Sequence, residues 1–132
     1  MMGYYGFLSV GVGAVLGAWL RWWLGILLNP VFPTIPMGTL AVNLLGGYVI
    51  GVAIVFFTEN AGLPPEARLF VITGFLGTLT TFSTFSAESV TLISRIEYLW
   101  ALAHISLHLV GSLIMTTLGM LTFNLIKTKG GG

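Results

Sequence analysis

Apolar residues fill four long stretches of the chain, which cover about residues 4–28, 37–57, 68–93 and 98–126. Each stretch is near or above the ~20 residues that a helix needs to cross a bilayer. The pattern predicts an all-α integral membrane protein with four transmembrane helices in one domain, residues 1–132, ending in a tail over residues 127–132.

The third stretch carries the most informative polar pattern. Thr80-Thr81-Phe82-Ser83-Thr84-Phe85-Ser86 is a run of hydroxyls and phenylalanines inside a segment of membrane length. Lipid offers no water to polar groups, so such a run must line a cavity or face protein. Gly74 and Gly77 precede it and weaken a helix. We therefore expect the third helix to be broken near 74–80, as in transporters that build ion sites near the midplane.

Other glycines predict close helix packing. Gly13 and Gly17 are four residues apart, as are Gly47 and Gly51. Small residues at this spacing lie on one helical face and let neighbouring backbones approach.

Composition supports the membrane assignment and excludes other classes. Charged residues make up 7% of the chain and the mean hydropathy is +0.99, whereas a soluble domain carries roughly 25% charged residues. A net charge of +1 without a basic patch excludes nucleic-acid binding. No metal-binding, phosphate-loop or acid-pair constellation indicates an enzyme.

The basic residues give almost no orientation signal. An even number of spans puts Arg68, Lys127 and Lys129 on one side, and Arg21 and Arg95 on the other. A protein that inserts both ways would show this balance, and two copies of opposite orientation could then pair about an in-plane two-fold axis. We therefore expect an antiparallel dual-topology homodimer.

Two phenylalanines and the hydroxyls around them are candidates for an anion pathway. Phe82 and Phe85 are spaced i, i+3 and would share a helical face, either as core aromatics or with their positive ring edges towards an anion. Ser83 and Thr84 can each donate a hydrogen bond, and Thr80 and Thr81 could cap the second half-helix.

Further polar residues lie in the second and fourth stretches. Asn43 either bonds another helix or donates to a dehydrated anion. Ser112 and Thr116 continue a stripe that begins with His104 and His108, although Ser and Thr in membrane helices often bond their own backbone instead.

Two charged residues within the spans have open roles. Arg21, beside Trp22, either snorkels to the interface or attracts anions into a vestibule. Glu88 is a residue of the pore mouth or an interfacial partner for a basic group.

At these residues the sequence closely resembles the fluoride channel family known as Fluc or CrcB. The resemblance runs from Gly17-Ala18-Trp19-Leu20-Arg21-Trp22 through Gly38-Thr39-Leu40-Ala41-Val42-Asn43-Leu44 and Thr73-Gly74-Phe75-Leu76-Gly77 to the polar run and Gly111-Ser112-Leu113-Ile114-Met115-Thr116. Two positions depart from it. Thr78 stands where relatives often have glycine, and His104 stands where some relatives have tyrosine.

The resemblance implies a passive fluoride channel of the bacterial inner or plasma membrane, with two antiparallel pores per homodimer and a central structural sodium ion. It assigns ring-edge contacts to Phe82 and Phe85, donation to fluoride to Asn43, and a hydroxyl track to Ser112 and Thr116. It places Arg21 in a vestibule, and the backbone carbonyls of Gly77 and Thr80 on sodium.

Two other classes of protein remain to be weighed. A small proton-coupled multidrug exporter has four similar spans but needs a carboxylate in span one, and this chain has no Asp or Glu before Glu59. A helper subunit of a larger complex would leave the run of hydroxyls and phenylalanines unexplained.

Overall fold

The computed structural model describes residues 3–130, in which every regular element is a helix. Helix α1 covers Tyr4–Leu28 and leads into a 3-10 turn at Asn29–Val31. Helix α2 covers Met37–Glu59, and the last helix, α6, covers Tyr98–Gly130. With the third span, Pro65–Ser94, these form four helical spans long and apolar enough to cross a membrane. The prediction of an all-α multi-pass membrane protein is confirmed.

The third span is interrupted, but further along the chain than predicted. Helix α3 (Pro65–Arg68) leads into a π-helical segment (Leu69–Leu76) and the short α4 (Gly77–Leu79), and helix α5 begins at Ser83 and ends at Ser94. The non-helical residues are 80–82, where Thr80 is extended with φ −84° and ψ 156°. The predicted break near 74–80 therefore overlaps the observed one only at residue 80, and the helix is interrupted a few residues later than predicted.

Gly74 shows why the glycines misled that prediction. It is buried, and a Cβ atom added there would lie 2.6 Å from the carbonyl oxygen of Val10 and 3.1 Å from the Cα atom of Gly13. Gly74 therefore serves the close approach of the π-helical segment to α1 and stays within a helical segment.

The glycine pairs pack helices against one another, as expected. A Cβ atom on Gly13 or Gly17 would collide with carbonyl oxygens of Phe70 or Phe75 in the third span. A Cβ atom on Gly51 would collide with the carbonyl oxygen of Thr116 in α6. Backbone atoms cannot move aside as a flexible side chain can, so these positions set the spacing of α1 from the third span and of α2 from α6.

The interior is small, and the outer surface is apolar. Buried side chains at the centre include Val42, Phe57, Leu76 and Leu79. Large apolar side chains of all four spans are exposed, among them Phe7, Trp22, Ile54, Val90 and Leu109. This surface suits lipid as the solvent.

Residues 127–130, the described part of the tail predicted for residues 127–132, are helical. Helix α6 continues to Gly130, while residues 131–132 lie outside the described part of the chain. The Lys127 ammonium lies 2.7 Å from Glu59 Oε2, so the end of α6 is beside the end of α2. Because both side chains are solvent-accessible, this ion pair stabilises the fold by at most about 1 kcal/mol.

Helix spacing is testable with two Gly→Ala variants. Gly51→Ala should lower the free energy of unfolding by about 1–3 kcal/mol, because the new methyl group meets the α6 backbone. Gly11→Ala is the matched control, since Gly11 is also in a helix but has open space around it. Thermal denaturation in detergent measures both. Equal melting temperatures for the two variants would contradict the packing described here.

Candidate ion pathway

The break in the third span is held by the side chain of Asn43. The Thr81 backbone N–H donates to Asn43 Oδ1 at 2.8 Å, and Asn43 Nδ2 donates to the Thr81 carbonyl at 2.9 Å. These two bonds satisfy both backbone groups of a residue that has lost its helical partners. They also determine which end of the Asn43 amide is oxygen.

The second N–H of Asn43 is also engaged. Asn43 Nδ2 lies 3.0 Å from Nδ1 of His108, and because this end of the amide is a donor, His108 Nδ1 accepts. Asn43 therefore joins α2, the break and α6, which supports the reading of Asn43 as an interhelical bond. Its donation to fluoride stays a prediction and requires that one of these two bonds be exchanged.

Arg21 lies against the other side of the break. Its Nε donates to the carbonyl of Thr78 at 2.9 Å, so the guanidinium satisfies a backbone group of α4 as well as carrying charge. Arg21 also lines a cavity of about 320 Å³ together with Thr39, Thr81 and Thr84. Simple snorkelling does not describe this position, and the vestibule role stays a prediction.

Phe82 and Phe85 lie at the start of the second half of the span. Phe82 is the N-cap of α5 with helical dihedral angles (φ −89°, ψ −39°), and its carbonyl accepts from the Ser86 N–H at 2.8 Å. The Phe82 and Phe85 rings are in contact, with centroids 5.6 Å apart and planes at 64°. Phe82 is 79% exposed, whereas Phe85 packs on the His108 ring at a centroid distance of 4.6 Å.

These rings form part of a larger cavity of about 440 Å³ that is open to the surface. Its lining brings together residues of α2, the third span and α6 that the sequence analysis singled out: Asn43, Gly77, Thr80, Thr81, Phe82, Phe85, His108 and Ser112. Asn43 and Ser112, which are 69 positions apart in sequence, thus border one cavity.

The predicted hydroxyls have different surroundings. The Thr81 hydroxyl accepts from the Thr84 backbone N–H at 3.2 Å and so caps α5, as expected. The Thr80 hydroxyl does not cap α5, because it donates back to the Leu76 carbonyl at 2.9 Å. Ser83 is exposed, and Thr84 lines the smaller cavity.

Of the two predicted hydroxyl residues in the last span, one lines a cavity and the other bonds a neighbouring helix. Ser112 lines the larger cavity. The Thr116 hydroxyl donates to the Gly47 carbonyl at 2.9 Å and thus joins α6 to α2. A track from Ser112 to Thr116 stays a prediction, and Thr116 would have to give up this bond to serve it.

The Gly77 and Thr80 carbonyls are suited to a hard cation. Both residues line the larger cavity, and no side chain within residues 3–130 donates to either carbonyl oxygen. Carbonyl oxygens are ligands that hard cations prefer. The residues present fit a sodium ion, whose binding remains to be tested.

The structure brings together two residues, Glu88 and His104, whose roles the sequence left open. Glu88 Oε1 lies 3.3 Å from His104 Nε2, and the other carboxylate oxygen accepts from the Thr39 hydroxyl at 2.7 Å. The polar stripe of α6 contains no carboxylate of its own, so sequence reasoning found no partner for its histidines. The partner comes from α5, and no spacing along either helix signals this contact.

A broken membrane helix, fastened at its break and bordered by polar and aromatic side chains, is typical of membrane proteins that conduct or transport ions. The family model for "CrcB-like protein, Camphor Resistance (CrcB)" matches residues 8–120. The chain belongs to the CrcB family.

Relatives match almost from end to end. A protein of Nitrosospira multiformis named "Fluoride-specific ion channel FluC" is 64% identical over 121 residues, 92% of this chain and 94% of its own. Proteins with the same name from Cupriavidus taiwanensis (58% identical, 95% and 99% covered) and Ralstonia pickettii (64% identical, 89% and 93% covered) are also similar.

The Asn43 contacts predict a stability difference between two Asn→Asp variants. A carboxylate at position 43 cannot donate to the Thr81 carbonyl or to His108, and each unsatisfied group costs about 1–3 kcal/mol. Asn43→Asp should therefore lower the apparent melting temperature in detergent by several degrees. Asn124→Asp, at an exposed position of α6, is the control and should not. No difference between the two would mean that the Asn43 bonds do not hold the break.

Proposed function

We infer that this protein is a fluoride-specific ion channel and not an enzyme. The observation that carries the inference is the near full-length identity of 58–64% to relatives that bear that name. The pathway residues support it, because Asn43, Ser112 and the two phenylalanines Phe82 and Phe85 line a shared cavity. Fluoride is small and strongly hydrated, so its path must replace water with groups of this kind.

Conduction is passive in this proposal. The first acidic residue in the sequence is Glu59, at the end of α2, so the first two spans offer no carboxylate to couple proton entry to export. This argues against the alternative, a proton-coupled multidrug exporter. Fluoride in the cytoplasm would leave down its own gradient.

The proposed path uses the larger cavity. Phe82 and Phe85 present ring edges, Ser112 and Asn43 supply donors, and Arg21 attracts anions at the smaller cavity. Ser83, Thr84 and Thr116 complete the predicted set of hydroxyls. Arg21, Asn43 and Thr116 already donate to backbone carbonyls, so an arriving fluoride ion would compete for those donors.

The aromatic pair gives the sharpest test of this path. Phe82→Ile and Phe85→Ile keep apolar volume but remove the ring edge, so fluoride efflux from liposomes should fall at least about tenfold in each. Phe82 is the cleaner site, since its exposed ring contributes little to packing.

Phe7→Ile is the matched control, because Phe7 is an exposed phenylalanine of α1 that borders neither cavity. Its efflux should equal that of the unmodified protein. Wild-type efflux in both Phe82→Ile and Phe85→Ile would reject their role in the pathway.

The functional unit in this proposal is an antiparallel dual-topology homodimer with two pores. The larger cavity is open to the surface of a single copy, and Thr80 and Thr81 of the break line it. Lipid cannot satisfy such groups, so a second copy covering this face would account for them. The nearly balanced basic residues favour opposite orientations of the two copies.

A sodium ion held by the Gly77 and Thr80 carbonyls would stabilise this dimer. Both residues border the open face, where a second copy could contribute the same carbonyls. An ion shared between copies stabilises the assembly by mass action. Its role is structural, and it takes no part in conduction.

The dimer and the sodium site are testable at Gly77. A Cβ atom added there would lie 3.6 Å from the carbonyl oxygen of Ile72, the nearest atom apart from the adjacent helix backbone. This distance is an ordinary van der Waals contact. One copy therefore has room for a larger residue, and Gly77→Val should keep its helix content. Its dimer should nevertheless dissociate at least about tenfold more readily, and replacing sodium with a larger monovalent cation should weaken the unmodified dimer as well.

Thr80→Ala is the control, because the proposed ligand at that position is the carbonyl, and its dimer should be close to normal. Antiparallel pairing also requires that a single Gly62→Cys label react from both sides of the membrane. A dimer indifferent to Gly77→Val and to the cation would contradict the sodium site. Labelling from one side only would contradict dual topology.

A further inference from the structure

Three residues beside the pathway form a cluster of unpartnered polar atoms. Glu88 of α5 and His104 and His108 of α6 each place one possible ligand atom within 4.8 Å of those of the other two. Both histidine rings are buried, at 0% and 4% exposure, and the Glu88 side chain is 16% exposed. We call these three residues the Glu-His-His cluster.

Most of the polar atoms in the cluster have no hydrogen-bond partner. Within residues 3–130 these atoms are Glu88 Oε1, both ring nitrogens of His104 and Nε2 of His108. Each buried polar group left unpaired costs about 1–3 kcal/mol. Glu88 Oε1 and His104 Nε2 face each other at 3.3 Å, longer than a well-formed hydrogen bond, and His108 Nε2 lies beside them without a partner, so a bound group could complete the site.

We propose that the Glu-His-His cluster binds a divalent transition metal ion such as Zn²⁺, and that binding slows fluoride flux. Two imidazoles and one carboxylate are a donor set typical of zinc, while calcium and magnesium need oxygen ligands throughout. The single negative charge of the carboxylate disfavours an anion in this place.

The distance between two of the three ligand atoms suits zinc, whereas the third atom, which lies within 4.8 Å of the others, must move closer when the ion binds, because two bonds of about 2.1 Å cannot span that distance. Zinc bonds of about 2.0–2.1 Å at the tetrahedral angle place neighbouring ligand atoms about 3.4 Å apart. Glu88 Oε1 and His104 Nε2 are 3.3 Å apart. The Thr39 hydroxyl, bonded to the other carboxylate oxygen, keeps Oε1 turned towards the histidines.

Metal binding would act on the pathway through His108. In the metal-free molecule Asn43 donates to His108 Nδ1, which puts the ring proton of the neutral imidazole on Nε2. A metal at Nε2 requires that this proton move to Nδ1, where the Asn43 N–H then finds no acceptor. Occupancy must therefore break the Asn43–His108 hydrogen bond, beside the ring of Phe85.

The cluster adjoins both cavities, since His108 lines the larger one and Thr39, bonded to Glu88, lines the smaller one. Glu88 is the only partly exposed member of the three, and its partner Thr39 lines that cavity. An ion can therefore approach the carboxylate from the smaller cavity or the His108 ring from the larger one.

Binding is measured first, without flux. Purified protein in detergent, titrated with Zn²⁺ alone, should bind one ion per chain, and Co²⁺ in its place should show the intense visible bands of tetrahedral coordination. Glu88→Gln and His104→Gln should each weaken binding at least about 100-fold, since loss of an outer-shell partner alone costs 10–100-fold. Glu59→Gln, which removes an exposed carboxylate, is the matched control and should bind as the unmodified chain does.

Flux is measured second, and this half of the proposal rests on the proposed channel function. Micromolar Zn²⁺ should slow fluoride efflux from liposomes in the unmodified protein and in Glu59→Gln, but not in His104→Gln, each compared with its own efflux in chelator. Absence of Zn²⁺ binding, or equal binding in all variants, would overturn the site. Binding with unchanged flux would overturn the link to the pathway. No fluoride efflux in chelator would count against the channel function and leave the binding result standing.

Discussion

The pairing of Asn43 with Thr81 is the interaction on which the rest of this structure depends. A helix interrupted inside a bilayer exposes backbone groups that lipid cannot satisfy. Asn43 supplies both a donor and an acceptor to Thr81, at 2.9 and 2.8 Å, and Arg21 donates to the Thr78 carbonyl nearby. With these groups satisfied, Thr80 can be extended and the phenylalanines can stand at the start of a new helix.

The donors of the proposed pathway are also bonded within the fold. Arg21, Asn43 and Thr116 each donate to a backbone carbonyl of another segment, so the donors proposed for fluoride also hold the fold together. A permeating anion would have to replace the carbonyl acceptors of these hydrogen bonds, because few donors are free. That arrangement avoids leaving unpaired donors buried when no ion is present.

Close helix contacts explain why the space beside the break is open. Glycines let α1 approach the third span and α2 approach α6 at backbone distance, which leaves only a small buried core in a single copy. The larger cavity is lined by residues of α2, the third span and α6 and is open to the surface. The proposal of a dimer follows from this geometry, since a second copy would cover what one copy cannot enclose.

The sequence by itself determined the four spans, the helical class, the close approach of Gly13, Gly17 and Gly51, and the presence of a break. Each of these follows from local pattern, because length, apolarity and small-residue spacing act within one helix. The tertiary structure alone decided where the break lies. Gly74 packs against α1 and stays within a helical segment, whereas the Thr81 backbone bonds to Asn43 in place of helical partners. The tertiary structure alone also brought Glu88 to His104, since that contact joins two helices whose relative rotation no pattern along either one specifies.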